Sequence, residues 1–597
     1  MSATDPGGRV ISFGDSLSDN GNLKAQTGNP PSPYYLGRFS NGPVWTELLN
    51  GPMNSPVQGT GVSGNVNLAF GGARADNAVN LNGPIPSIGS QIGTFLFYGG
   101  TFGTKDVVTI QGGANDIFQF FAVSGFANNA ATTTAATTAA GALMGDIGLA
   151  IGAGAKTLLV PNLPDLGITP SYSAAAASAA AGTLATTSYN AAWQTGLVTL
   201  ANANQSVNII QMDVATLVKL AVANPTAFGL SNVTQACLSV LACATGSTAT
   251  QNGYLFWDSV HPTSTAQQLQ ARFALLLLNA DIMAQAVSPT SEVNLNARKQ
   301  STDETFERVS QWAYGAIARQ NGFYATASGS IAHEGSNGAT PAYNASLANA
   351  RIGFDRQVGA ELYGLAGAVS IGSLSSSPGL GYGGYKADLS MLHLDAYAAK
   401  HWGNVYLTGS VGGSVAFIDG RRDTGLPTVT ATGNTRGSSA AAAVETGVML
   451  KAGDVTFVPA ARIAYIHSTI NGFSESAPLL AMSYTDHTFD GLVGSLKLRA
   501  ITPVAFGFVA PGRAYAEVAY ESYLTARDGG YVGALINNTA HPFQVSTTDP
   551  IANGLNLKFG LEGKISPTAT LTAQYGIGFQ DGQGQFHTAS VRLKVPF

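Results

Sequence analysis

The feature that most constrains the fold of this 597-residue chain is a change of hydrophobic period near residue 290. From Tyr324 to Phe597, apolar and polar residues repeatedly alternate one by one. Leu555-Asn556-Leu557-Lys558-Phe559-Gly560-Leu561-Glu562 is one such stretch, and Leu571, Ala573, Tyr575, Ile577 and Phe579 interleave with Thr572, Gln574, Gly576 and Gly578 in another. At the end, Val591, Leu593, Val595 and Phe597 alternate with Arg592, Lys594 and Pro596. A period of two gives a strand one greasy and one wet face. A soluble β-sandwich produces that pattern too. Segments of about ten residues, aromatics near their ends and a terminal Phe favour a transmembrane barrel. The span from 319 to 597 has room for about twelve strands with their turns.

The first half holds chemistry instead. Only one histidine, His261, precedes residue 333, and it sits in Asp258-Ser259-Val260-His261-Pro262. An acid three residues before a histidine can hold the imidazole from behind while its other nitrogen takes a proton from a nucleophile. Near the N-terminus, Val10-Ile11-Ser12-Phe13 reads as a buried strand running into Gly14-Asp15-Ser16-Leu17-Ser18-Asp19-Asn20-Gly21-Asn22, which places Ser16 just past a strand end. Two further apolar runs end in glycine pairs: Asn67-Leu68-Ala69-Phe70-Gly71-Gly72-Ala73, and Val107 to Ile110 followed by Gln111-Gly112-Gly113-Ala114-Asn115-Asp116. Glycine lets a backbone N–H approach a substrate oxygen closely, and Asn115 adds a side-chain donor; a developing oxyanion needs two or three such donors.

These four blocks, in this order over roughly the first 285 residues, resemble the GDSL (SGNH) esterase and lipase family. The resemblance implies a three-layer α/β/α domain with a parallel sheet, Ser16 as nucleophile, His261 as general base and then acid, and Asp258 as the group that orients the imidazole. It also implies an oxyanion hole from the Ser16 N–H, the Gly71 N–H and the Asn115 amide, with Gly72 as the near alternative to Gly71. Val160-Pro161-Asn162-Leu163-Pro164-Asp165-Leu166-Gly167 is similar to a further family segment without evident chemistry. The nucleophile is not on a G-x-S-x-G elbow, which disfavours an α/β-hydrolase. Taken singly, Ser16 reads equally well as a helix cap and Asp258-His261 as a surface turn; it is the joint presence of the blocks that argues against this. Asp19, Asn20 and Asn22 are expected to shape the loop behind Ser16, and Asp116 and Trp257 to support or pack.

The second half resembles the autotransporter β-domain of bacterial outer membranes, its terminal strand being the most specific part of the match. Between the halves, Glu292 to Arg319 has mixed charge and helical spacing, with Phe306, Val309, Ala313 and Ile317 along one side. It reads as a solvent-facing connector or, given the resemblance, as a helix threading the barrel lumen, where a charged element meets water. The expected division is therefore residues 1–290 as esterase passenger, 291–320 as linker helix and 321–597 as translocator barrel. No apolar run reaches the length of a spanning helix, and Met1-Ser2-Ala3-Thr4-Asp5-Pro6 lacks the apolar stretch of a signal peptide, which for an exported barrel implies a processed or recombinant start. The resemblance implies an outer-membrane location with the passenger on the cell surface, contact with membrane lipid and use of the barrel-assembly machinery.

A net charge of −5 with 11% charged residues gives no sign of nucleic-acid binding. Cys237 and Cys243 are the only cysteines. They read as a small disulfide loop in an oxidising compartment, the alternative being two free buried thiols; a zinc site lacks further ligands. The later histidines show no metal spacing and phosphate-loop motifs are absent, so no metal or organic cofactor is expected. The resulting reading is a surface-anchored carboxylic ester hydrolase acting through an acyl-enzyme on ester or lipid substrates. The alternatives are a carbohydrate O-deacetylase with the same catalytic set and a non-catalytic surface adhesin.

Overall fold

In the computed structural model, residues 8–314, 321–336, 341–379, 381, 383–506, 509–538, 541–545, 554–566, 569–580 and 584–596 are described. Five short strands near the N-terminus, β1 (Val10–Gly14), β2 (Val66–Asn67), β3 (Val107–Gln111), β4 (Thr157–Pro161) and β5 (Asn208–Met212), form one parallel sheet in the order β2-β1-β3-β4-β5. Their residues are apolar on both faces because both faces are covered. Val10, Val107, Leu159 and Ile210 face one core, while Ile11, Phe13, Val108, Ile110, Leu158 and Val160 face the other.

Helices α1 (Ile88–Phe97), α2 (Ala114–Ser124), α3 (Asn129–Gly152) and α4 (Ala176–Ala203) lie over the second core. Helices α5 (Val214–Ala223) and α6 (Ser264–Leu278) lie over the first. This is a three-layer α/β/α arrangement. The Ala-rich stretches that give no clear apolar face in sequence are α3 and α4. Buried Ala136, Ala139, Ala140, Ala181 and Ala185 let these long helices sit close on the sheet and on each other.

Helix α7 (Pro289–Ala313) then enters the second half. Twelve long antiparallel strands, from Gly322–Glu334 to Gly584–Pro596, pair in sequence order, and the last pairs back on the first, closing a barrel. The alternation is realised as expected. Val591, Leu593 and Val595 face outward at 49%, 39% and 45% exposure, whereas Arg592 and Lys594 point inward and are buried. Phe597 lies outside the described residues, as do Ile317 and Arg319 of the expected linker helix.

Inside, α7 carries Phe306, Val309 and Ala313 against the barrel wall. Its charges meet opposite charges on the strands. Arg308 bonds Asp355, Arg298 bonds Asp395, and Glu307 takes a two-pronged bond from Arg499 at 2.9 and 2.5 Å. Charges buried in this way need partners, and here the wall supplies them. At the mouth, a four-stranded ribbon of Phe473–Ser474, Met482–Tyr484, Tyr531–Leu535 and Phe543–Val545 meets the first domain. Met283 and Val287 share a core with Leu389, Met482 and Tyr531, and Asn538 donates to Asn208 across 2.9 Å. Asn208 opens β5, so the sheet rests on the barrel by the N-terminal ends of its strands.

Candidate active site

In an open parallel sheet, ligands bind at the C-terminal strand ends where the strand order reverses. Here that point lies between β1 and β3, and Ser16 and Asn115 follow these two strands. The site is thus at the strand ends opposite the barrel contact.

The Ser16 loop is a tight turn built by two buried aspartates. Asp15 accepts from the Leu17 N–H at 3.0 Å through its side chain and from the Ser18 and Asp19 N–H groups through its carbonyl. Asp19 accepts from the N–H groups of Gly21, Asn22 and Leu23 at 2.8, 2.6 and 3.2 Å. Burial pushes both carboxyls up to about 6, against the pull of these hydrogen bonds. Asn22 donates to the Asn67 and Ala69 carbonyls at 3.0 and 2.9 Å, and Asn20 donates to the Met53 carbonyl at 3.2 Å. These residues shape the loop and tie it to the strand leading to Gly71.

Ser16, 8% exposed, places its Oγ 2.8 Å from His261 Nε2, across 245 residues of sequence. His261 Nδ1 lies 2.7 Å from Asp258 Oδ2. A Nδ1 proton facing the carboxylate leaves Nε2 to accept from the Ser16 hydroxyl. Asp258 Oδ1 accepts from the Val260 and His261 N–H groups at 2.9 and 2.8 Å, which folds the Asp-x-x-His turn back on itself. Although burial opposes its charge, these bonds and the imidazole hold its carboxyl well below the usual range.

Tyr34, which no sequence motif singled out, donates its hydroxyl to Asp258 Oδ2 at 2.8 Å. Burial, with Asp258 beside it, drives the phenol well above its ordinary value. Its ring packs edge-on against Trp257 and Phe39, and Phe39 lies against the His261 imidazole with centroids 4.8 Å apart. Nothing in the spacing of a residue 224 positions away signals this contact. Trp257 is fully buried beside the Cys237–Cys243 disulfide, which closes a six-residue separation before the histidine turn.

The expected oxyanion donors fare differently. The Ser16 N–H has no partner among the described residues, and Asn115 spends one amide hydrogen on the Ala73 carbonyl at 2.9 Å, leaving the other. The Gly71 N–H, however, donates to Asp19 Oδ2 at 2.8 Å. This corrects the sequence expectation, because an N–H satisfied by a buried carboxylate is not available to an oxyanion. Gly71 is glycine for another reason: a Cβ there would lie 2.3 Å from the Phe39 ring. Gly72, half-buried and left-handed at φ +82°, has an N–H with no partner among the described residues. Asp116 supports this loop by accepting from the Ala75 and Asp76 N–H groups at 2.9 and 3.2 Å. No cluster of His, Cys, Asp or Glu among the described residues has the arrangement of a metal site.

Residues 10–273 match the family model for GDSL-like lipase/acylhydrolase, and residues 323–576 match that for the autotransporter beta-domain. The phosphatidylcholine-sterol acyltransferase of Aeromonas hydrophila is 30% identical over 306 residues, 43% of this chain and 85% of that protein. Esterase EstA of Pseudomonas aeruginosa is 26% identical over 372 residues, 52% of this chain. The chain spans about half of that relative's length, 54%. Among solved structures, the translocator domain of the autotransporter NalP from Neisseria meningitidis is 16% identical, with a TM-score of 0.41, over 51% of this chain and 99% of that one.

Proposed function

Because the chain belongs to the GDSL-like lipase/acylhydrolase family and carries an autotransporter β-domain behind it, we propose that it is a serine ester hydrolase of the cell surface, held in the outer membrane by its own barrel and working through Ser16, His261 and Asp258. The observation that carries this reading is the unbroken chain from Ser16 Oγ to His261 at 2.8 Å and from His261 to Asp258 at 2.7 Å.

His261 Nε2 takes the Ser16 proton as Oγ attacks the ester carbonyl carbon. The carbonyl π-electrons move onto oxygen, where the Ser16 N–H, the Gly72 N–H and the free Asn115 amide hydrogen receive the charge. Collapse of the tetrahedral adduct breaks the C–O bond to the alcohol, which leaves with the proton from His261. Water, deprotonated by the same nitrogen, then attacks the acyl-enzyme, and the acid departs as Ser16 recovers its proton. Asp258 stays ionised throughout and steadies the imidazolium. Placement of the site at the strand ends away from the barrel fits substrate arriving from outside, and the match to an autotransporter β-domain supports extending the proposal to assembly by the barrel-insertion machinery.

The test is Ser16→Ala in the full chain. Loss of a nucleophile costs about 10⁴–10⁶ in turnover while a Ser-to-Ala change in a loop costs under about 1 kcal/mol in stability. A folded, inserted Ser16→Ala protein that keeps more than a few per cent of wild-type ester hydrolysis refutes the assignment.

A further inference from the structure

A cleft opens beside Ser16, with Asn115 and His261 in its lining. Three segments of chain border it, each tied to a different part of the catalytic set. The first runs from Tyr34, whose hydroxyl bonds Asp258, through Leu36 to Phe39 against the His261 ring. The second, residues 77–84, is held to the proposed oxyanion loop by Asn80 Nδ2, which donates to the Gly72 carbonyl at 2.8 Å, and to α2 by the Leu81 N–H, which donates to Gln119 at 3.0 Å. The third is the end of α2, the helix that carries Asn115, with the turn that follows it from Val123 to Phe126. Rings lead to it from the cleft: Phe118 stacks on Tyr172 with centroids 5.8 Å apart, and Tyr172 meets Phe126 edge-on at 5.9 Å.

These segments turn apolar side chains outward. Leu36, Val79, Leu81 and Val123 are 62%, 85%, 60% and 75% exposed, and none of them lines the cleft itself. Leu36 is held left-handed at φ +48°, an uncommon conformation for a residue with a Cβ, so the backbone is strained at the point where it presents that leucine to solvent. Charge is missing around them. Residues 25–37, 77–104 and 117–145 contain no Asp, Glu, Lys or Arg. The flanking arginines are neutralised, Arg38 by Glu47 at 2.5 Å and Arg74 by Asp76 at 2.6 Å. A water-facing surface ordinarily mixes charges of both signs. One exposed apolar residue is ordinary, but several on separate uncharged segments about one site mark a contact surface.

What covers this collar follows from what it encloses. A folded protein seated there would close the mouth over Ser16, whereas an aggregate of ester molecules delivers substrate through it. The lack of charge suits the same occupant, since a charged side chain pressed against an apolar phase loses its water without replacement. We infer that Leu36, Val79, Leu81 and Val123 dock the first domain on the surface of an apolar ester phase, and that the enzyme acts on esters gathered at such a surface in preference to the same esters dissolved in water. The inference rests on the hydrolase reading and adds to it the physical form of the substrate.

The experiment assays the full chain in phosphatidylcholine nanodiscs on tributyrin, dissolved below its solubility limit and emulsified above it. The wild type is compared with Leu36→Asn, Val79→Asp combined with Leu81→Asp, Val123→Asp, Phe97→Asp and Ser16→Ala. Asn tolerates the left-handed backbone at 36. Phe97, 85% exposed at the end of α1 and outside the three segments, is the control for surface hydrophobicity in general. Burying one such side chain on an apolar surface is worth about tenfold in partitioning. The wild-type rate is expected to rise about fivefold or more as tributyrin passes saturation. In the Asp variants of the collar and in Leu36→Asn the rise is expected to shrink to about twofold or less, with the rate on dissolved ester within about twofold of wild type. Phe97→Asp keeps the full rise. A wild type without a rise, its hydrolysis of dissolved ester abolished by Ser16→Ala, overturns the docking surface and leaves the hydrolase reading standing; a collar that instead pairs two copies of the chain gives this result. An undiminished rise in the collar variants, an equal loss in Phe97→Asp, or equal losses on dissolved and emulsified ester overturn it as well. Absence of Ser16-dependent hydrolysis in either form overturns both readings.

Discussion

The Gly71 N–H donates to Asp19 Oδ2 across 2.8 Å, so one buried carboxylate holds the serine loop and the glycine loop together. Asp19 has no exposed surface and gathers four backbone donors in all. Asp19→Asn keeps the shape but turns an amide NH₂ toward backbone N–H groups, so at least one of these donors loses its acceptor. Leaving a buried donor unpaired costs about 1–3 kcal/mol. The expected outcome is a destabilised first domain and a kcat at least tenfold lower, read from thermal melts and initial rates; unchanged melting and turnover would remove Asp19 from this role.

Asn115 and Gly72 are expected to act on kcat. Asn115→Ala removes the amide proposed to bond most tightly to the tetrahedral adduct and is expected to lower kcat by about 10²–10³ with little change in KM. Gly72→Ala strains a residue at φ +82° and drives a Cβ to 2.8 Å from Ile85, shifting the N–H proposed to face the oxyanion. It too lowers kcat in preference to raising KM. A change confined to KM in either variant would make that residue a substrate-binding group instead.

Tyr34 is a positioning residue, since it touches Asp258 and not the reacting atoms. Tyr34→Phe keeps the ring against Trp257 and Phe39 while removing one hydrogen bond to an ionised carboxylate. Bonds to charged groups contribute about 1.5–3 kcal/mol. Some of that is regained through solvent, so a kcat loss of about three- to thirty-fold is expected, with KM and the melting temperature nearly unchanged. Tyr34→Ala, which also removes the ring packing, is expected to lose stability as well. Equal losses of stability in the two variants would reduce the hydroxyl to a packing accessory.

Asp146 gives the first domain a measurable pH dependence away from the site. Its side chain is buried on α3, Oδ2 has no hydrogen-bond partner among the described residues, and burial, followed by the charge of Asp116, pushes its carboxyl up to about 7. An unfolded Asp titrates near 4. The folded form therefore holds the proton over that interval, and the stability it contributes is full below about pH 4 and lost as pH rises through about 7. Asp146→Asn removes the cost of the buried charge. It is expected to raise stability at pH 8 by on the order of 3–4 kcal/mol and by only about a third as much at pH 5. Denaturant melts of the first-domain transition at both pH values check this; an equal effect at both would rule out the titration.

Much of this was legible in sequence because it is carried by local pattern. The alternation of Val591, Arg592, Leu593 and Lys594 fixes which side chains face outward, and the closed barrel realises it residue by residue. Val10 to Phe13 reads as a strand because every residue is covered. What was not legible depends on contacts that spacing does not encode. The Gly71 N–H is claimed by an aspartate 52 residues earlier, and the Tyr34 hydroxyl reaches Asp258 from a loop without motif character. Long Ala- and Thr-rich helices such as α3 likewise have almost no one-sided pattern, since small residues pack on any side.

The last strand tests the anchoring. Gly584–Pro596 pairs with both its predecessor and the first barrel strand, so it supplies two of the seams that close the sheet. Its outward residues, Leu593 and Val595, are 39% and 45% exposed where lipid would lie, while Arg592 donates inward to Gln311 of α7 at 3.0 Å. A carboxylate on the lipid face costs up to a few kcal/mol, and an open barrel leaves two strand edges unpaired in the bilayer. Leu593→Asp with Val595→Asp is therefore expected to block barrel closure and keep the first domain from the surface, whereas Leu593→Ile with Val595→Ile leaves exposure intact. Fractionation combined with external protease on whole cells reads the outcome. Full surface exposure of the double Asp variant, or protection of the wild type from protease, would mean that this strand does not close a membrane-embedded barrel and that the second half holds the enzyme in some other way.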